Sequence, residues 1–145
     1  MQIPLDIHER VVALTDAILN ACEEGDDDAS AALYAELHVY CDAVALAGRD
    51  HPFLWETLAD FTSDDHAAID HYTRALMLAT AAKATTYEAS ICLALAERHS
   101  NLGDLATAQD YALLADALAQ RTDDLPLRKA ISQFLLDHSQ PGEHA

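Results

Sequence analysis

Apolar residues recur at three- and four-residue spacing along most of the chain, and acidic or glycine-bearing clusters interrupt them. That period is the mark of amphipathic helices rather than of strands, which alternate every second residue. Ile7, Val11, Leu14, Ile18 and Cys22 form the first stripe behind Pro4, a first-turn residue. Glu23–Asp28 stops that helix and supplies acids to the next N-terminus, where the helix dipole favours them. A second helix is predicted over about Ala29–Ala47, striped by Leu33, Leu37, Tyr40 and Val44 with Tyr34 and Cys41 beside it; Gly48-Arg49-Asp50 ends it. His51-Pro52 opens a short third helix with Leu54, Trp55, Leu58 and Phe61. After Thr62–Asp65, a fourth runs through Lys83 with Ala68, Tyr72, Ala75, Leu76 and Ala79 on one side. The fifth (about Thr85–Asn101) and sixth (about Asp104–Arg121) follow, and Asp123-Asp124 and Pro126 start a seventh carrying Leu127, Ala130, Ile131, Phe134 and Leu135. The expectation is an all-α domain over 1–138 with a flexible tail at 139–145, which contains Pro-Gly.

Tyr87–Gln120 is the most regular hairpin. Leu95-Ala96 and His99 lie in its first helix, Gly103-Asp104 in its turn, and Ala108, Ala112 and Ala115 where two helices approach closely. This unit resembles a tetratricopeptide repeat, a helix–turn–helix module that buries its apolar face only by stacking on copies of itself. Trp55, Leu58, Ala68, Tyr72 and Ala75 give a second copy with a shortened turn that lacks glycine. Ala17, Ala21, Gly25-Asp26, Ser30, Tyr34 and Leu37 give a third, more divergent one. The anchor positions Ser30, Ala68 and Ala108 are 38 and 40 residues apart, longer than the usual repeat of about 34. The resemblance implies a short right-handed α-solenoid of about three hairpins with a C-terminal capping helix; an irregular bundle with Ala-rich packing is the alternative.

Charge narrows the functions. With 25 acidic and 8 basic residues the net charge is −17, and protonating all 8 histidines would still leave −9. Such a field repels nucleic acid and anionic membrane and draws basic partners in, although an acidic surface also serves solubility alone. Three cysteines, Cys22, Cys41 and Cys92, are odd in number, without CxxC spacing and inside apolar stripes, so they read as core residues rather than a disulfide or zinc framework. No secretory signal opens the chain, and its longest fully apolar run, Ala75–Ala79, is too short to span a bilayer; a cytoplasmic location is the default expectation.

In the tetratricopeptide family the inward faces of the first helices line a groove for a peptide or a partner's helix. The resemblance therefore implies partner-binding roles for Ser90, Leu93, Ala94, Glu97 and Asn101 in the third hairpin. It implies the same for Phe53, Glu56 and Asp60 in the second, and for Val12, Thr15, Asp16 and Leu19 in the first. An apolar lining with carboxylates suits a basic or amphipathic segment. The Lys and Arg with which some members clamp an acidic C-terminus are missing at these positions. The expected protein is thus a non-enzymatic binding module, without cofactor, that masks, chaperones or scaffolds a partner in the manner of a secretion chaperone or an immunity-type inhibitor. A solvated helix face is the plain alternative for Glu56, Asp60 and Glu97.

Against it stands a metal-dependent helical enzyme built on His66 and Asp70, which are i, i+4 on one helix face; His51, His99 and Glu97 are then the remaining ligand candidates. Self-association through an exposed edge is a third reading. The sequence has no glycine-rich phosphate loop, no basic–aromatic interleaving, and no basic neighbour that would activate a cysteine.

Overall fold

The computed structural model describes residues 2–139, so the tail expected at 139–145 lies outside the described residues beyond Ser139. Within them the chain forms seven helices and no strand: α1 (Leu5–Glu23), α2 (Asp27–Leu46), α3 (Pro52–Asp60), α4 (Asp65–Ala81), α5 (Thr85–Asn101), α6 (Leu105–Ala119) and α7 (Leu125–Asp137). Each packs on its chain neighbours, most closely α5 on α6, and α3 also reaches past α4 to α5.

Local chemistry sets the boundaries. Asp26, Asp64, Asp104 and Asp124 each accept a hydrogen bond from the backbone N–H three residues on, capping α2, α4, α6 and α7. α3 is capped by an imidazole instead, His51 Nδ1 accepting from Phe53 N–H at 3.0 Å. Four helices end in the same two-bond closure, in which the chain turns through a left-handed residue. Three of these residues are Gly25, Gly48 and Gly103; the fourth is Lys83, at φ 55°. Lys83 therefore lies beyond the end of α4 rather than inside it, and Ala84 N–H closes on Ala79 O at 2.9 Å.

The buried positions of α2, α4 and α6 share one phase. Ala68, Tyr72, Ala75 and Ala79 are covered on α4 and Ala108, Ala112, Ala115 and Ala119 on α6, while Leu37 and Cys41 hold the matching places on α2. On α4 and α6 the series starts four residues after the capping aspartate; on α2 the corresponding Ser30 and Tyr34 are half-buried. Alanine at these positions lets helix axes come close, so a core of modest side chains still fills its space. One core cluster gathers Ile7, Leu37, Leu54, Trp55, Leu58, Ile91 and Leu95; a second holds Ala89, Cys92, Ala96, Ala112, Ile131 and Phe134, and Leu76 and Tyr111 border both. Cys41 and Cys92 are buried as expected, and burial pushes both thiols up to about 12. Cys22 is not: Ala21 takes the covered place on α1, and Cys22 lies exposed with Sγ 3.4 Å from Ser30 Oγ. No helix of the described residues is long and apolar enough to cross a membrane.

Candidate functional site

Helix α3 meets α5, and α7 borders the same cavities as α5, N-terminal part beside N-terminal part and C-terminal half beside C-terminal half. Glu56 meets Ser90 across the first seam, and Asp124 and Leu127 border Thr86 and Tyr87 across the second. Two cavities open along this surface. One, of about 180 Å³, is lined by Glu56 of α3, Thr86, Tyr87 and Ser90 of α5, and Asp124 and Leu127 of α7. The other, about 440 Å³, lies between the C-terminal halves of α5 and α7 and carries Glu97, Asn101, Gln133, Asp137 and His138. Neither has a Lys or Arg in its lining.

Glu56 is half-buried, and its Oε2 accepts the Ser90 hydroxyl at 2.7 Å. Burial pushes its carboxyl up to about 7 against the pull of that hydrogen bond, and the charge of Asp60 one turn away adds to the rise. Asp60 is exposed as a residue, yet desolvation by the protein around its carboxyl raises its pKa although Tyr72 donates a hydrogen bond to it and Arg98 stands nearby. Glu97 is also raised, first by its surroundings and then by Asp60. Three carboxylates on two adjacent helices thus share a region that penalises their charge.

The cation closest to them is already engaged. Arg98 pairs with Asp65 at 3.2 Å and donates to Ala59 O at 3.1 Å, fastening α5 to the α3–α4 corner; its side chain is only 16% exposed. Arg10, Arg49 and Arg74 are paired with Glu36, Asp6 and Asp50. Four of the eight basic residues are therefore spent within the fold.

Of the twelve residues expected to meet a partner, Glu56, Asp60, Ser90, Glu97 and Asn101 fall on this surface; Ala94 is half-buried on α5, and Val12, Thr15, Asp16 and Leu19 lie on α1, outside the lining of both cavities. Asn101 is exposed and donates to Asp65 Oδ1 at 3.3 Å. Phe53 is half-buried with its ring stacked on His8, centroids 5.7 Å apart. Leu93 is 8% exposed and belongs to the core cluster beneath, so it offers little to a partner. Sequence reasoning missed Tyr87, Asp124, Gln133 and Asp137. Asp124, Gln133 and Asp137 belong to α7, which sequence reasoning treated only as a cap.

His66 and Asp70 are both exposed, and among the described residues no group of three His, Cys, Asp or Glu comes together in a way that could hold a metal. The ligand candidates are committed elsewhere: His51 is buried as the α3 cap, and His99 is stacked on Tyr111. A second polar cluster surrounds Trp55, whose indole N–H donates to Asp50 Oδ1 at 2.6 Å while the Arg74 guanidinium lies 3.7 Å over the ring and reaches Asp50 Oδ2. Its members satisfy one another, which makes it a fastening between α3 and α4 rather than a reactive site.

Comparison of the chain with protein-family models, with curated proteins and with solved structures finds no match.

Proposed function

We propose that this protein is a non-enzymatic binding module whose α3–α5–α7 surface takes a basic or amphipathic segment of another protein. The observation that carries the reading is the lining of the two cavities: Glu56, Glu97, Asp124 and Asp137 line them, and no Lys or Arg does. In this reading the helices form a short tetratricopeptide-like solenoid, with α1, α3, α5 and α7 inward and α2, α4 and α6 outward. The recurrence of an aspartate cap and a small residue four positions on, at 38- and 40-residue intervals, supports it.

The role is to mask, chaperone or scaffold. A surface of uncompensated carboxylates binds poorly to anything anionic and is relieved by cations from a partner, so association is fast and weakened by salt. A lysine-bearing amphipathic peptide titrated at low ionic strength tests this. The wild type binds with a Kd that rises steeply with salt, and Glu56→Lys, Asp60→Lys and Glu97→Lys in combination abolish binding while the helical circular dichroism is kept. Equal binding by the triple variant overturns the proposal.

A further inference from the structure

The 180 Å³ cavity has a more specific chemistry than the surface around it. Its wall is the Tyr87 ring and the Leu127 side chain, Glu56 stands half-buried in its lining, and Asp124 adds a second carboxylate. We propose that this cavity is an anchor subsite for one lysine side chain of the partner, the ammonium against Glu56 and the stem along Tyr87 and Leu127. This inference rests on the binding reading given above.

Three features favour it. None of the ion pairs within the described residues involves Glu56, so its charge has no cation of its own. Ser90 already donates to Oε2, while Oε1 takes no hydrogen bond within the described residues, which suits a compact ammonium better than a guanidinium that grips both oxygens. The walls are what a four-carbon stem packs against, and a tyrosine face attracts a cation. The titratable groups facing Glu56 are Asp60 on its own helix, Tyr87 on α5 and Asp124 on α7, and none is positive. An entering ammonium therefore meets a carboxyl that holds a proton part of the time and drives it off. Binding releases protons and tightens as the pH rises from 6 to 8.

The test is calorimetry on the full chain with a synthetic amphipathic peptide bearing one lysine, and with a copy bearing norleucine there, in two buffers of different ionisation heat. Wild type is expected to prefer the lysine peptide by roughly tenfold and to release about half a proton per peptide at pH 7. Glu56→Gln, which removes an uncompensated charge and should melt no lower than wild type, loses both the preference and the release. If Glu56→Gln keeps both, the anchor assignment is wrong and the groove reading stands. If neither peptide binds at low salt, the groove reading itself fails and the anchor goes with it.

Discussion

Glu56 departs from the usual behaviour of a surface carboxylate, and the direction of that departure has a consequence for stability. Its native pKa, about 7, lies above its ordinary value of 4.5, so between those pH values the folded chain holds a proton that the unfolded chain has given up. Stability is then highest on the acidic side of this window and falls as pH rises through it, with no further loss above. Asp60 and Glu97 are shifted in the same direction. The thermal midpoint of wild type should fall between pH 5 and 7, and Glu56→Gln should flatten part of that fall. A wild-type midpoint that climbs over this range would contradict the assignment. Asp50 differs in its bonding: its carboxylate accepts from Trp55 Nε1–H, His51 N–H and Arg74. Asp50→Ala leaves these donors without an acceptor and should cost about 2–3 kcal/mol in chemical denaturation. Residues of this kind were only partly legible beforehand. Glu56 and Glu97 could be placed on a surface from their helix phase, but a pKa depends on which chains surround a carboxyl, and Tyr87 and Asp124 come from 31 and 68 positions downstream of Glu56.

At the scale of elements, helix order and type were readable because the apolar period is strong and most N-termini carry an aspartate. What was misread follows from places where one residue type does another's work. Lys83 occupies a left-handed position that glycine fills in three sister closures, so α4 was expected to run two residues too far. A Cβ at φ 55° is strained, and Lys83→Gly should raise stability by about 1 kcal/mol, whereas Gly103→Ala at φ 81° should lower it by about as much. Comparing the two midpoints in urea checks both. Cys22 was assigned to the core on spacing alone; a stripe one residue wide cannot tell it from Ala21 near the end of α1, where the neighbouring helix starts. Leu93 was read as groove-facing, yet it sits among Ala89, Cys92 and Ala96 against α6, because α5 is covered on both of its apolar sides.

At the scale of the whole molecule, four arginines are consumed by internal pairs, while Glu56, Asp60, Glu97, Asp124 and Asp137 take part in none of the ion pairs of the described residues. The net charge of −17 pointed to basic partners, but charge alone gave no address. The proposed address is the set α3, α5 and α7, which gathers acidic residues from three separate stretches of sequence. The most direct measurement is a backbone ¹H–¹⁵N NMR titration with the lysine-bearing amphipathic peptide at low salt. Shifts should concentrate on Glu56, Tyr87, Ser90, Glu97 and Gln133 and fade as salt is added. Shifts confined to the outward positions of α2, α4 and α6, such as Val39, Met77 and Leu113, would contradict the proposed binding surface.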